Sequence, residues 1–183
     1  MFRIQLFFSD ISEIIGSDGL SVVLLVDANR QRTLTVVCDK AMTAQIALRV
    51  NRMPAKETFL PEVLWEMIKS TGQTVKDFEM LIYDVRDGQY MVTLLNRQTA
   101  TLRQIRMSDA ILLNHISHIP IFIEKELFER QASPIPNNKT GISIPINVID
   151  TEHLNRELEK AISEENYRLA SHLHEELKKR KKK

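Results

Sequence analysis

Hydrophobic positions in the first 131 residues follow the periods of strands and helices in turn. After a predicted strand at residues 2–15 and a Gly-rich turn at residues 16–19, Leu20 to Val26 is an almost continuous apolar run. Such a run is typical of a central strand buried on both faces. Arg32 to Cys38 returns after a turn, which predicts a hairpin. Further strands are predicted at residues 78–85, 89–95, 99–105 and 119–123, and helices at residues 39–50, 61–71, 108–117 and 124–130. The pattern predicts an α+β fold with a mixed sheet and flanking helices.

Two of these helices have apolar positions that we expect to face the core, because they recur at helical spacing. In the helix at residues 39–50 they are Ala41, Ala44, Ile46, Ala47 and Leu48. In the helix at residues 61–71 they are Val63, Leu64, Met67 and Ile68.

The composition changes after Gln131. Residues 132–141 are rich in proline, asparagine and small polar residues, which is typical of a semi-extended linker. Residues 142–149 are apolar but contain a proline, which predicts an edge segment on the domain surface. From Asp150 the apolar period is helical and is interrupted once, so we predict an antiparallel helical hairpin. The predicted parts are a body at residues 1–131, a linker at residues 132–149, and a hairpin with a basic tail at residues 150–183.

The net charge of +1 conceals an uneven distribution. Residues 178–183 are all basic. Without these six, 19 basic and 24 acidic residues remain, so the rest of the chain has a net charge of about −5. A body of that sign does not favour non-specific binding to polyanions. We expect the tail to be a solvated helix end whose cations complement the helix dipole.

Cysteine content and hydropathy indicate the compartment. The single cysteine, Cys38, excludes an internal disulfide and a metal site built from several thiolates of one chain. The apolar stretches are too short to cross a membrane, and no signal-peptide pattern is present. The sequence therefore predicts a soluble, cytoplasmic protein with no membrane partner.

Five segments of the body occur in a characteristic order. They are Val22-Val23-Leu24-Leu25, the helix from Ala41 to Leu48, the segment from Asp84 to Tyr90, Arg106-Met107-Ser108-Asp109-Ala110-Ile111, and Pro120-Ile121-Phe122-Ile123. In order and spacing, residues 7–131 resemble the bifunctional nuclease (BFN) domain family. Met107 stands where that family has a proline, and Leu60-Pro61 stands where it has Thr-His. The resemblance implies a metal-assisted nuclease that acts on RNA or DNA.

The C-terminal helices carry a second set of matching positions. These are Leu158, Ala161, Glu165-Asn166-Tyr167, Ala170, Leu173 and Glu175. They resemble the UVR motif, a short helical hairpin named from the UvrB and UvrC repair proteins, with His174 where the motif usually has arginine. The resemblance implies docking to a protein partner or self-association into a homo-oligomer. The partner-binding residues are then Leu158, Ala161, Tyr167, Ala170 and Leu173. The alternative is a hairpin that folds back onto its own domain.

The strongest candidates for chemistry lie at the start of the predicted helix at residues 108–117. Ser108 or Asp109 can cap this helix, whose free N–H groups bind anions, while Arg106 can make a bidentate contact with a phosphate. Asp109 can instead coordinate Mg²⁺ or Mn²⁺ beside a phosphate, and Asp84 and Asp87 can supply further carboxylates. The structural alternatives are a capped helix with an Arg–Asp salt bridge and an ordinary Asp-Gly turn.

Two functional hypotheses follow from these observations. In the first, the chain is a metal-assisted nuclease that the hairpin recruits to a partner. In the second, it is a non-catalytic interaction protein in which body and hairpin are both binding modules. The length of the family resemblance favours the first, whereas the acidic body and the absent family histidine favour the second.

Overall fold

The computed structural model describes residues 2–13, 20–51, 56–135 and 146–181. Its strands are β1 (Arg3–Glu13), β2 (Leu20–Asp27), β3 (Arg32–Asp39), β4 (Phe78–Arg86), β5 (Gln89–Asn96), β6 (Thr101–Arg106), β7 (Ile121–Glu124) and β8 (Ser133–Pro134). Its helices are α1 (Lys40–Val50), α2 (Leu60–Ser70), α3 (Met107–Ser117), α4 (Lys125–Gln131), α5 (Thr151–Ser163) and α6 (Tyr167–Arg180). The predicted turn at residues 16–19, residues 136–145 of the predicted linker and the last two lysines of the tail lie outside the described residues.

The eight described strands form one mixed sheet in the order β6-β5-β4-β7-β1-β2-β3-β8. Strands β4 and β7 pair in parallel, and the other neighbours are antiparallel. Helices α1, α3 and α4 pack against this sheet, α2 packs against α3, and α5 and α6 form a C-terminal hairpin. The predicted α+β class with a mixed sheet and a helical hairpin is confirmed. None of the helices in the described ranges is long and apolar enough to cross a bilayer.

The sheet curls until β5 approaches β3, although four strands lie between them in sheet order. The hydroxyl of Tyr90, which is buried at the start of β5, donates a hydrogen bond of 3.4 Å to the carbonyl of Thr35 in β3. Register shifts between Phe8 and Asp10 in β1, and between Ile82 and Asp84 in β4, mark bulges that increase local twist. This curvature brings the end of β3 to the turn between β4 and β5.

Helix α2 presents a different face to the core from the one the sequence predicted. Val63, Leu64 and Met67 are exposed, and Ile68 alone of the four predicted positions packs against the core. The residue buried instead is Trp65, whose ring meets Phe78 edge-on at a centroid distance of 5.8 Å. The prediction for the other three residues was wrong because α2 also turns a charged residue, Glu62, towards α1.

The inner face of α1 likewise differs from the prediction. Ala41 and Ala44 are exposed, Ala47 and Leu48 are half-buried, and Ile46 is buried as predicted. The positions buried beside Ile46 are Thr43, three residues before it, and Arg49, three residues after it. Asp39 caps α1 as expected: its carboxylate accepts the Met42 amide at 2.7 Å.

A buried ion pair connects the two helices. The Arg49 Nε and a terminal nitrogen each lie 2.8 Å from a different carboxylate oxygen of Glu62, and another terminal nitrogen donates to the Gln45 carbonyl at 2.8 Å. The Arg49 side chain is only 3% exposed and that of Glu62 only 12%. Arg49 also lies over the Phe59 ring, 5.3 Å from its centroid. The charged pair therefore fixes how α2 is rotated, because burial of Arg49 requires its carboxylate partner.

We expect Glu62→Gln to lower the free energy of unfolding by about 3 kcal/mol, because it leaves a buried guanidinium without its counter-charge. Glu66→Gln in the same helix is the matched control. Glu66 pairs with Lys69 at the surface, so its loss should change stability by about 0.5 kcal/mol or less. Urea unfolding followed by Trp65 fluorescence measures both. Equal effects of the two variants would contradict the role given to the buried pair.

The hairpin has a core of its own. Leu154, Ala161, Ala170, Leu173 and Leu177 are buried together, and Leu158 packs against them. Leu158 and Ala161 of α5 thus pack against Ala170 and Leu173 of α6, as the predicted antiparallel hairpin requires.

Segments from both ends of the predicted linker lie against the body. Ser133–Pro134 adds to the sheet edge beside β3, and Val148, in a short 3₁₀ turn at Ile146–Val148, belongs to the main core. The guanidinium of Arg180 donates to the carbonyls of residues 146 and 147. The base of the hairpin is thus attached to the body, while the domain boundaries themselves stay a prediction.

Candidate active site

A cavity of about 300 Å³ lies where the end of β3, the β4–β5 turn, the start of α3 and the residues leading into α5 meet. This volume is at the lower end of the range for small-molecule sites. Its polar lining consists of Asp39, Gln89, Arg106, Ser108, Asp150 and His153. The cavity thus combines residues of the body with residues that follow the predicted linker.

Three helices begin at this cavity, and their ends differ. Asp39 caps α1, and Asp150 caps α5 by accepting the His153 amide at 2.9 Å. At the start of α3 the N-cap position is Arg106, whose side chain makes no capping hydrogen bond. The first amides of a helix are unpaired donors at the positive end of its dipole. The start of α3, which lacks a capping side chain, is therefore the best place in the cavity for an anion.

Arg106 and Asp109 form a bidentate pair across the first turn of α3. The Arg106 Nε lies 2.6 Å from one carboxylate oxygen, and a terminal nitrogen lies 3.1 Å from the other. These hydrogen bonds and the charge of Asp109 raise the pKa of the Arg106 guanidinium further, so it is always cationic. The Arg106 side chain is 72% exposed, and pairs this exposed contribute about 1 kcal/mol or less. The guanidinium can therefore exchange this partner for a phosphate at small cost.

A family model of the bifunctional nuclease domain matches residues 22–136, well over half of the chain. The chain belongs to this family. The match contains β2 to β8, the helices α1 to α4 and all of the cavity wall that comes from the body. It ends before Asp150, so the hairpin lies outside it. Comparison with curated proteins gives no match.

The residues predicted for the site of this bifunctional nuclease domain are separated by the structure. Arg106 and Ser108 line the cavity, whereas Asp84, Asp87 and Asp109 are absent from its lining. Cross-strand register places Asp84 and Arg106 on either side of Met91, two strand spacings or about 10 Å apart at the backbone. The site as seen is therefore a corner of α3 rather than a cluster of carboxylates.

The two aspartates of the β4–β5 hairpin make local contacts. Asp84 accepts from the Arg86 Nε and from the Val85 amide, both at 2.8 Å. Asp87 has a positive φ of 49°, as does Gly88 at 82°, which is the geometry of the tight hairpin turn that Asp-Gly favours. Turn formation explains Asp87 without a metal.

We tested whether the described residues fit the metal ion that the family resemblance implies. Among them, no three His, Cys, Asp or Glu side chains are arranged to hold one ion. The carboxylates of Asp84 and Asp109 each already accept hydrogen bonds from an arginine. These residues do not form a complete site for Mg²⁺ or Mn²⁺, so no step of the chemistry is derived through a metal.

Cys38 lies in the same cavity but is not a nucleophile near neutral pH. Burial, with a smaller effect from the charge of Asp39, raises the pKa of its thiol to about 12. The thiolate, which is the reactive form, is therefore a negligible fraction of the population.

Asp150 and His153 are site residues that the sequence did not predict. Their spacing is visible as a helix start, with an N-cap aspartate and a histidine three positions later. Nothing local indicates that this helix start lies against the body, because the contact joins residues more than 60 positions apart. That contact is made by Gly88, where an added Cβ would lie 2.4 Å from the Ile149 carbonyl oxygen.

The five predicted partner-binding residues have different surroundings. Leu158, Ala161, Ala170 and Leu173 face the interior of the hairpin, where they contact one another. Tyr167, at the start of α6, is 68% exposed.

We expect Gly88→Ala to disrupt the C-terminal wall of the cavity, which consists of Val148, Asp150 and His153. Gly72→Ala is the matched control, since Gly72 has the same left-handed backbone at φ 86° but nothing within 4 Å of an added Cβ. The control should lose about 1 kcal/mol of stability to backbone strain alone. Gly88→Ala should lose about 2 kcal/mol more, because the Ile149 carbonyl must move. Chemical denaturation measures the difference; equal losses would show that the close contact is not needed.

Proposed function

We propose that this bifunctional nuclease domain cleaves phosphodiester bonds of RNA or DNA at the cavity beside α3. The observation that carries this proposal is the start of α3, where a helix end without a capping side chain meets an exposed guanidinium and the Ser108 hydroxyl in a cavity. Backbone amides, a fork-shaped cation and a hydroxyl are the donors that protein sites use for phosphate oxygens. Membership of the family supports the same reaction class.

Charge in the cavity limits how the substrate binds. Asp39 and Asp150 are caps of their own helices and also line the cavity, so a phosphate there meets two carboxylates. Local donors at α3 must therefore position the phosphate against an unfavourable field, and affinity should be modest. Dependence on Mg²⁺ or Mn²⁺, with Asp109, Asp84 and Asp87 as ligands, stays a prediction, as does the cytoplasmic location.

We expect Arg106→Gln to lower kcat/KM for nucleic-acid cleavage about 10- to 100-fold, the loss of one charge-assisted phosphate contact. Folding stability should change by about 1 kcal/mol or less, since the pair with Asp109 is exposed. Arg103→Gln, an exposed arginine on the same strand, is the control. The assay uses single- and double-stranded RNA and DNA, each with Mg²⁺, Mn²⁺ or chelator.

Two outcomes of that assay would contradict the proposal. Wild-type cleavage no greater than in a mock-purified preparation removes the nuclease function. Equal activity of the Arg106→Gln and Arg103→Gln variants removes the α3 corner as the site. Asp109→Asn separates its two roles: loss of metal stimulation supports a ligand, whereas unchanged metal response with weaker binding supports orientation of Arg106.

We propose as a second function that the hairpin associates with a second copy of the chain through exposed apolar side chains around its turn. Ile162 and Tyr167 are 54% and 68% exposed on either side of that turn, and Leu169 is exposed next to them. The UVR-like spacing supports a docking role. This function is compatible with the nuclease and is also the core of the non-catalytic alternative.

Tyr167→Ala tests this second function by sedimentation equilibrium. We expect wild type to associate with increasing concentration and the variant to remain monomeric. Truncating a tyrosine that is a hot spot of an interface costs about 2 kcal/mol or more of binding free energy, which is about 30-fold in affinity. Leu102→Ala removes an equally exposed apolar residue from β6 and should associate like wild type. A wild-type chain that stays monomeric argues for a different protein partner and against self-association.

A further inference from the structure

His153 forms part of the C-terminal wall of the cavity and is held there by a carboxylate. Its Nδ1 lies 2.7 Å from one oxygen of Asp150, whose other oxygen accepts the His153 backbone amide. Both residues line the cavity that also contains Arg106 and Ser108. A histidine from outside the family match thus faces the same space as the candidate phosphate donors.

The contact with Asp150 determines which ring nitrogen can act as a base. A carboxylate only accepts hydrogen bonds, so the Nδ1 of the neutral ring must carry the proton and Nε2 must carry the free lone pair. No described residue makes a hydrogen bond with Nε2. Burial by itself raises the pKa of Asp150, but hydrogen bonds from the His153 amide and ring, with the ring's charge, bring that pKa below its ordinary value. Asp150 therefore remains ionised at neutral pH and stabilises the imidazolium that forms when Nε2 takes a proton.

The other ionisable side chains that line the cavity are those of Cys38, Asp39, Tyr90, Arg106 and Asp150. Burial raises the pKa of both Cys38 and Tyr90, so thiol and phenol stay protonated. Arg106 is a cation, and Asp39 and Asp150 are helix-capping carboxylates. Among the described lining residues, His153 is the one that carries a ring nitrogen able to accept a proton.

We propose that His153 is the general base of the phosphodiester hydrolysis assigned to this cavity, an inference that rests on the proposed function. Nε2 takes a proton from a water molecule as the water oxygen forms a bond to phosphorus. The bond from phosphorus to the leaving oxygen breaks with its electron pair, and that oxygen takes a proton from solvent. His153 then returns its proton to solvent, and the products are a phosphomonoester and an alcohol. Asp150 is a positioning residue that fixes the tautomer.

This assignment gives the segment after the linker a part in the chemistry. The phosphate donors at α3 belong to the family domain. The general base, His153, belongs to α5, which is held against that domain by the contact of Ile149 with Gly88. The site is then complete only when the base of the hairpin lies on the body.

The kinetic experiment compares His153→Gln with His174→Gln in the full chain. Glutamine at 153 retains an N–H donor for Asp150 but cannot take up a proton. We expect kcat to fall at least about 100-fold, with KM changed by less than twofold. His174 is exposed on α6, and its variant should retain wild-type rates. Added imidazole should restore part of the activity of His153→Ala, which a purely structural role of the side chain would not explain.

The pH profile supplies a second kinetic readout. A general base acts in its unprotonated form, so wild-type kcat/KM should rise with pH and then level off. His153→Gln should lack this ascending limb. A limb that persists unchanged in the variant overturns the assignment.

Nitrogen NMR of the histidine rings tests the geometry independently of cleavage. Neutral His153 should carry its proton on Nδ1, and Asp150→Asn should shift the population towards the Nε2 form. A dinucleoside monophosphate should perturb the His153 signals of wild type but not of Arg106→Gln. Signals that do not respond to this probe overturn the placement of His153 beside the scissile phosphate.

The outcomes separate this inference from the function on which it rests. Cleavage by wild type that persists within threefold in His153→Gln overturns the role of His153 and leaves the nuclease function standing. A wild type that cleaves none of the substrates overturns the nuclease function, and the role of His153 falls with it.

Discussion

The curvature of the sheet, which brings β5 against β3, is the constraint on which the candidate site depends. The buried Tyr90 hydroxyl needs an acceptor, because an unpaired buried hydroxyl costs about 1–3 kcal/mol, and the Thr35 carbonyl of β3 supplies it. The contact joins strands that four others separate. It brings Asp39, Gly88 and the start of α3 around one cavity. Without this curvature, Arg106 would lie on an open sheet edge with no enclosed space beside it.

The second constraint is the close approach of the Ile149 carbonyl to Gly88. A left-handed glycine in a tight hairpin turn leaves room for another backbone where any side chain would collide. Val148 then enters the main core, and Arg180, at the C-terminal end of α6, binds the same segment at the base of the hairpin. A hairpin that resembles a docking motif is in this way attached to the wall of the cavity, so the proposed association at its turn and the proposed chemistry at its base would involve the same element.

The electrostatics of the cavity distinguish the two functional hypotheses. The uncapped start of α3 and Arg106 favour an anion, whereas Asp39, Asp150 and the acidic body oppose one. An enzyme can use such opposition, because donors that bind one phosphate locally need not hold the whole polyanion tightly. A pure nucleic-acid binding module has no such use for it, since its affinity comes mainly from phosphate contacts. The charge pattern therefore agrees better with a cleavage site, or with protein docking, than with simple nucleic-acid binding.

Local patterns in the sequence determined the elements of the fold. Alternation, turn residues and caps depend on neighbours a few positions apart, so strands β1 to β7, the Asp87-Gly88 turn, the Asp39 cap and the helical hairpin were predictable. Strand β8 was not, because it lies in the predicted linker. A helix start beside Arg106 was predictable as well, because its signals are contiguous in the chain. The expected cap by Ser108 or Asp109 was wrong, because α3 begins at Met107 and places both residues inside its first turn. The family resemblance read from the sequence was confirmed by the match over residues 22–136.

Tertiary structure decided which faces and which distant segments meet. Pairing with the buried Arg49 turned Glu62 of α2 towards α1 and exposed Val63, Leu64 and Met67, although their spacing alone favoured the core. Asp150 and His153 joined the site through one backbone contact, and Asp84 and Asp87 lay outside its lining. Such outcomes depend on ion pairing and on close approach between residues far apart in sequence, which hydrophobic periodicity does not encode.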